Sequence, residues 1–382
     1  MGSGQASPES SRSYLRSEVF CRGTGPRTPN PSSHVGLTPE REFVLGRRLK
    51  TDLKSLAFLI GAALVAGIIY EQEGERRDRR RLPQIGRSVD IGDRTLNIFC
   101  SGTSAPAVVL ESASGTGLEW EPVQTEVAKF AEACWYDRAG MGWSDTGPYP
   151  RTAEAIARDL HELLRRAGVA PPFVLAGFSF GGLPVREYNA LYRNDIAGMV
   201  LVDIADEEEQ SRAPKFYLGH TAPRFLWHPL CLAFETAAFV GLVRLTDSSP
   251  AQGRNQSEMA REQIIAALRR QPKTFVASNC TGAVEPQSYA EASASGGLGD
   301  RPLIVLTAGQ APNFRNAELN RQAEAYQQIW IHEIQAKLAR LSSRGRQIVI
   351  PNSDHGSIPP DVVISAVRDV VAHVRSAGAT IR

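Results

Sequence analysis

The chain reads as an α/β domain built on an eight-stranded, mostly parallel sheet with helices on both faces, preceded by a leader of different composition. Three observations predict it. From residue 88 onward, short apolar runs rich in Val, Ile and Leu alternate with amphipathic stretches of helical period, the pattern that places crossover helices between parallel strands. At 382 residues, 42% hydrophobic and 22% charged, the chain is long enough to bury a sheet on both faces. One interval between strands is far longer than a crossover needs, which predicts an inserted cap.

Residues 1–52 are rich in Ser, Pro, Gly and Arg without apolar periodicity. They are expected to be disordered, because they cannot bury enough apolar surface to offset the entropy of ordering. Residues 53–70 read as a transmembrane anchor, since 55–70, SLAFLIGAALVAGIIY, carries no charge. That run gives about 24 Å of helix against a hydrocarbon core of roughly 30 Å, so Leu53 must join it and Lys54 must snorkel. Its apolar residues lie all round the helix rather than along one stripe, which argues against a core helix. Its distance from Met1 argues against a cleaved signal peptide. Residues 71–87, with Arg76, Arg77, Arg79, Arg80 and Arg81, read as a basic linker, and basic residues on both flanks leave the orientation open.

In the domain, residues 88–382, strands are expected at 88–91, 95–100, 107–110, 134–136, 173–176, 199–202, 303–307 and 347–350. Ile156, Leu160, Leu163 and Leu164 form a helical stripe with Thr152 placed to cap its start and Gly168 to end it. Val363, Val367, Val370, Val371 and Val374 repeat the stripe near the C-terminus. The cap falls between the sixth and seventh strands, at about 205–299, and holds Phe216, Tyr217, Phe225, Trp227, Phe234 and Phe239. Its stretch 230–245 is apolar apart from Glu235 and Arg244, and reads either as a helix packed on the body or as a roof over an apolar substrate.

The net charge of +2 is a cancellation: residues 1–90 hold 15 basic and 10 acidic residues, the remainder 28 and 31. No basic field points to nucleic acid. The five cysteines form no C-x-x-C pair, which excludes zinc ribbons and thioredoxin-like motifs, and no metal or cofactor is expected.

The chemistry-bearing motif is Gly177-Phe178-Ser179-Phe180-Gly181, which follows the fifth expected strand and opens a helix-compatible stretch. This is G-x-S-x-G, a nucleophile on a strand-to-helix turn whose neighbours must be small, with a helix N-terminus to favour developing negative charge. With the loop Tyr136-Asp137-Arg138-Ala139-Gly140-Met141-Gly142-Trp143-Ser144, which is similar to D-x-R-G-x-G-x-S, residues 83–382 resemble the α/β-hydrolase fold superfamily. The closest likeness is to bacterial hydrolases with an N-terminal anchor helix. The resemblance implies acyl transfer to water through Ser179. A serine at the elbow sets the chain apart from the epoxide hydrolase and haloalkane dehalogenase branches, which attack with a carboxylate.

A serine nucleophile needs an adjacent base, and of the seven histidines only His355 lies in a loop after a late strand, which the resemblance makes the base position. His34 precedes the domain, His161, His332 and His373 lie in helical patterns, and His220 and His228 lie in the cap. The loop after the seventh strand, where the superfamily most often keeps its acid, has no carboxylate. Some members carry the acid after the sixth strand, which makes Asp203 the favoured acid over Glu318 or none, with Asp206 and Glu207 in reserve and Asp354 too close to His355 in the chain. By position, the backbone N–H groups of Phe180 and Ala113 would form the oxyanion hole. Glu111 and Ser112 stand where the usual His-Gly would be, and Glu111 is either paired with Arg138 or solvated. Cys100 and Cys134 fall on strands that are neighbours in this fold and are either a disulfide, favouring an extracytoplasmic domain, or two buried thiols.

The expected function is a membrane-anchored serine hydrolase cleaving a small carboxylic ester, with a lipophilic substrate left open. The alternatives are an amidase or peptidase with the same triad, and a catalytically silent binding protein of this fold. Oligomeric state is left open.

Overall fold

The computed structural model describes residues 39–216, 224–247 and 255–380. Tyr217, His34 and His220 lie outside them. The chain divides into two units, Met1–Leu59 and Ile60–Arg382.

The first helix, α1 (Pro39–Arg81), is longer than the anchor expected from hydropathy. Residues 39–52, read as part of a disordered leader, and 71–81, read as a linker, both continue the helix. The physical reason in the basic stretch is local: Glu73 accepts from Arg77 at 3.4 Å and Glu75 from Arg79 at 3.0 Å, acid before base at i, i+4. From Asp52 to Arg81 this helix is long and apolar enough to cross a membrane.

All eight expected strands are present: β1 (Arg87–Asp90), β2 (Thr95–Ser101), β3 (Val108–Glu111), β4 (Ala133–Tyr136), β5 (Phe173–Phe178), β6 (Ile196–Val202), β7 (Leu303–Ala308) and β8 (Gly345–Ile350). They form one sheet in the order β1-β2-β4-β3-β5-β6-β7-β8. β2 runs antiparallel to both neighbours, and β4 to β8 with β3 form the parallel part. β3, β4 and β7 are buried throughout, because both faces are covered.

Alternation sends each strand's side chains to two apolar layers. Phe173, Leu175, Leu303 and Val305 join one with Leu160, Leu163 and Leu164 of α3 (Ala153–Ala167), whereas Val174, Ala176, Ile304 and Leu306 join the other with Val363, Val367, Val370 and Val371. Each fully buried Leu or Val in these layers contributes about 1.5–3 kcal/mol of burial. α3 begins and ends where the sequence implied: the Thr152 hydroxyl accepts from the Ala155 N–H at 3.4 Å, and Gly168 takes φ of 78°, open to glycine without strain. α2 (Glu121–Val127) and α4 (Gly182–Leu191) complete the crossovers ahead of the cap.

The cap lies between β6 and β7, as expected, and contains α5 (Glu209–Arg212), α6 (Arg224–Phe239), α7 (Leu242–Thr246), α8 (Gln256–Arg270), α9 (Pro272–Asn279) and α10 (Glu285–Ala294). Its two halves differ. α10 is packed on the body, with Tyr289 and Ala292 in one cluster with Ile156, Phe180 and Leu183, and Ser288 accepting from the Ala153 N–H at 3.1 Å. α6 and α7 leave Phe225, Leu226, Leu232, Phe239, Leu242 and Leu245 exposed, so the stretch 230–245 is only partly a packed helix. After β7 come α11 (Ala317–Ile329), a wider helical turn at Trp330–Gln335, α12 (Ala336–Ala339) and, after β8, α13 (Pro360–Thr380).

Candidate active site

The loops after β3, β5, β6 and β8 meet at the carboxyl edge of the parallel strands. β5 runs straight into the tight turn Ser179–Gly181 and then α4, and the reversal forces Ser179 to φ of 52°. The following glycines are steric necessities. A Cβ on Gly181 would stand 2.5 Å from the Ser112 carbonyl oxygen, and one on Gly182 2.3 Å from Ile204 Cβ.

His355 sits in the turn between β8 and α13, where Asp354 accepts from the Gly356 N–H at 3.0 Å and so is spent on shaping the loop. The His355 Nε2 atom lies 3.0 Å from Ser179 Oγ, and Nδ1 lies 2.7 Å from Asp203 Oδ2. Asp203 is the residue after β6, held at φ of 43° and almost fully buried. Its other oxygen accepts from the Ala308 N–H at 3.0 Å and the Trp330 indole N–H at 2.8 Å. Those two donors aim the carboxylate at the imidazole. Burial alone would lower the His355 pKa, but the hydrogen bond and charge of Asp203, with Glu209 and Asp354, outweigh it and hold the imidazole above its ordinary value.

The competing acids are engaged elsewhere. Glu318 is exposed on α11, bonded to Arg321 and Gln322. Asp206 and Glu207 are held by Lys337 at 2.9 and 3.2 Å, with Glu207 also taking Arg186 at 3.0 Å.

Of the two readings of Glu111, the paired one holds: its carboxylate lies 3.3 Å from Arg138 Nε, both side chains are buried, and the Tyr136 hydroxyl donates to it. The pair is not aligned as a hydrogen bond through these two atoms, and burial, opposed by Arg138 and Tyr136, pushes the Glu111 pKa up to about 7. Arg138 reaches further. Its Nη2 donates to the Ser112 carbonyl at 3.0 Å and to the Ala113 carbonyl, and its guanidinium lies 5.3 Å from the centre of the Phe180 ring. One cation therefore touches both residues whose N–H groups were expected to face the oxyanion. Asp137, the first residue of that loop motif, is structural: it accepts from Gly117 N–H at 2.8 Å, Trp143 N–H at 3.1 Å and the Asn97 amide at 3.0 Å.

Two cavities meet at Ser179 and His355. The larger, about 700 Å³, is bounded by Ala113, Phe178, Val243, Thr246 and Phe275. The smaller, about 370 Å³, lies under α11 and is bounded by Glu209, Pro312, Tyr326 and Trp330. Glu209 accepts from the Tyr289 hydroxyl at 3.4 Å, and burial, reinforced by Glu285, pushes its pKa up to about 7. Neither Glu209 nor Trp330 was legible as a site residue, because each arrives from an element whose packing no local pattern encodes. Cys100 and Cys134 are paired directly across β2 and β4 as a disulfide, with Cα atoms 4.1 Å apart. A second bridge, Cys231–Cys280, ties α6 to the end of α9 and was not anticipated.

A doubly wound sheet with a serine on a strained strand-to-helix turn, a histidine from the last loop and a buried aspartate behind it defines the class of α/β hydrolases. The chain belongs to the Alpha/beta hydrolase family, whose sequence model matches residues 98–374. Among curated proteins it is similar to the uncharacterized protein YqjL of Bacillus subtilis (strain 168), 34% identical over 136 residues, 32% of this chain and 54% of the relative. It is also similar to the uncharacterized protein YbdG of the same organism, 24% identical over 163 residues, 42% of this chain and 50% of that one. The chain thus spans about half the length of these two relatives. Among solved structures it is similar to a thermophilic esterase from Thermogutta terrifontis, with TM-score 0.52, 19% identity and coverage of 75% and 98% of the two chains. A putative lipase from Acinetobacter baumannii AYE gives TM-score 0.52, 17% identity and coverage of 80% and 97%. A putative epoxide hydrolase from Pseudomonas aeruginosa gives TM-score 0.54, 17% identity and coverage of 78% and 98%. At these identities the likeness is one of fold.

Proposed function

We propose that the protein is a serine hydrolase of carboxylic esters acting through Ser179, His355 and Asp203. The observation that carries the reading is the unbroken relay from Ser179 Oγ to His355 Nε2 at 3.0 Å and from Nδ1 to Asp203 at 2.7 Å. In the first half-reaction His355 Nε2 takes the proton as Ser179 Oγ attacks the ester carbonyl carbon. The carbonyl oxygen becomes an anion facing the N–H groups of Phe180 and Ala113. When the tetrahedral adduct collapses, the C–O bond to the alcohol breaks and the imidazolium returns its proton to the departing oxygen. Water, deprotonated by the same nitrogen, then cleaves the acyl-serine and restores the hydroxyl. Asp203 fixes the imidazole tautomer and stabilises the imidazolium without accepting the proton. The two cavities on either side of Ser179 suit the acyl and alcohol portions of one ester.

α1 is read as the membrane anchor, in keeping with its run of exposed apolar residues from Leu53 to Tyr70. The two disulfides favour an oxidising compartment, so the catalytic domain is assigned to the extracytoplasmic side. The hydrolase reading is tested by labelling the full-length protein with a fluorophosphonate probe. Stable labelling that disappears in Ser179→Ala is expected, and absence of Ser179-dependent labelling would overturn it.

A further inference from the structure

The first hairpin of the cap is fastened to α1. The turn between α6 and α7, Val240 and Gly241, crosses α1 at Gly67: a Cβ on Gly67 would stand 2.3 Å from the Val240 carbonyl oxygen, and one on Gly241 2.9 Å from that of Gly67. One turn further along α1, Arg244 of α7 donates to both oxygens of Glu71 at 3.0 Å, and about two turns beyond that to Asp78 at 2.7 Å. The Arg244 and Glu71 side chains are only 9% and 4% exposed. Contact without side chains on one flank and a buried ion pair on the other fix α7 to this helix. The same short helix forms a wall of the larger catalytic cavity, through Val243 and Thr246.

The surface around this crossing is apolar and uncovered. Ile60, Leu64, Val65 and Ile69 of α1 are exposed, and so are Phe239, Leu242 and Leu245 beside the turn. Gly67 lies three residues inside the end of the uncharged run at Tyr70, so at 1.5 Å per residue the turn meets α1 about 4–5 Å within its apolar length. Charge follows at once on the outer side. A cavity of about 520 Å³ there is lined by Ile69 and Tyr70 together with Arg77, Arg81, Arg244 and Arg270. It is also lined by the carboxylates Glu73 and Asp78, which Arg77 and Arg244 engage. Apolar side chains on one side of a level and a densely charged, arginine-rich run on the other match a bilayer boundary.

We propose that the α6–α7 hairpin is a second membrane-contact element, that it seats Phe239, Leu242 and Leu245 in the bilayer interface beside α1, and that it thereby presents the catalytic cavity to an ester whose acyl chain resides in the membrane. The proposal rests on the hydrolase and anchor readings above and deepens them by naming the substrate class. The bilayer is the occupant that fits, because the exposed apolar face continues that of the membrane-length helix and ends at a charged rim in which arginines outnumber carboxylates.

The test uses the full chain in phosphatidylcholine vesicles containing phosphatidylglycerol. In a Cys21→Ser background, single cysteines introduced by Leu242→Cys, Ile69→Cys and Arg340→Cys carry an environment-sensitive fluorophore. Brominated lipid is expected to quench the labels at 242 and 69 alike and to spare the one at 340, with iodide doing the reverse. A label at 242 quenched by iodide and not by bromolipid overturns the membrane contact; one reached by neither is covered by protein and overturns it equally. The catalytic arm compares dioleoylglycerol held in the vesicles with soluble p-nitrophenyl acetate. Phe239→Asp combined with Leu242→Asp is expected to lower the vesicle-borne rate about tenfold or more and keep the soluble rate within about twofold. Equal loss on both substrates, or no loss on either, overturns the substrate assignment. If the protein as it stands takes no fluorophosphonate label at Ser179, the hydrolase reading fails, and the quenching result still decides the membrane contact.

Discussion

The same residue types live in opposite environments in the body and in the cap's first hairpin. Leu96, Leu110 and Leu160 of the body have no exposed surface, whereas Phe225 and Leu245 of the hairpin are 77% and 71% exposed. The body buries its apolar residues because a sheet offers two faces and helices cover both. The hairpin has a covering layer on one side only, so its remaining apolar surface is available for something outside the described chain. Strain is divided the same way: among the described residues, the two non-glycine residues with positive φ, Ser179 and Asp203, lie at the carboxyl edge of the body's strands. Backbone held there by dense packing stores the geometry of the Ser179–His355–Asp203 relay. The cap shapes access to it.

The largest effect should come from the strained body. Asparagine tolerates the left-handed region, so Asp203→Asn keeps the backbone at φ of 43° and one acceptor for Ala308 and Trp330. Its amide presents the wrong partner to His355 Nδ1, and ester turnover is expected to fall by about 10⁴ with the melting temperature nearly unchanged. Turnover within a few-fold of the original would remove Asp203 from the relay.

The two disulfides offer a direct contrast, since one lies in each region. They span 34 and 49 residues, for which loop-closure entropy assigns about 4 kcal/mol each. If the regions were equivalent, breaking either would cost the same. Cys100→Ala with Cys134→Ala is expected to lower the main thermal transition by several degrees. Cys231→Ala with Cys280→Ala should leave that transition almost in place, speed proteolysis between residues 224 and 280, and raise KM. Equal losses of melting temperature would break the contrast.

A smaller effect is expected from Arg138→Lys. Lysine keeps the charge beside Glu111 and loses the planar fork that reaches the Ser112 and Ala113 carbonyls. If the arginine holds the oxyanion donors in register, kcat should drop by about 10- to 100-fold with KM little altered, because those donors act on charge that develops in the transition state. A change in KM alone would make the brace a substrate-binding feature.

What the sequence disclosed and what it hid follow from range. The strands were legible because both faces of the sheet are covered, which leaves continuous apolar runs, and α3 because Thr152 and Gly168 act within their own turns. The elbow was legible because its serine and glycines are contiguous after an apolar strand, although the contacts that demand those glycines reach to Ser112 and Ile204. Asp203 came from the resemblance and not from any local pattern, since its partners Trp330 and His355 lie 127 and 152 residues further along the chain. That the stretch past Tyr70 continues as helix was not read from the sequence, because its support lies in i, i+4 pairs of exposed charges rather than in an apolar stripe. The Cys231–Cys280 bridge and Glu209 depend on how the cap folds over the body, which no periodicity records.

Glu209 stands where the two regions join, and it sets the smallest predicted effect. It opens the cap, lines the smaller cavity with Ser179 and His355, and helps raise the imidazole pKa. The base must be neutral to accept the Ser179 proton, so activity should rise with pH through a midpoint above the ordinary imidazole value of about 6.5. Because the Glu209 pKa is pushed up to about 7, its carboxyl acquires charge as the pH rises through that value. Glu209→Gln removes the negative partner that favours the imidazolium, and the acid limb of kcat/KM should move to lower pH by less than about one unit. The sign separates the possibilities: a shift to higher pH would mean that Glu209 acts chiefly as a neutral hydrogen-bond donor whose loss leaves His355 more strongly paired with Asp203. An unmoved limb would make the cap electrostatically silent toward the body's chemistry, leaving shape as its sole contribution to the site.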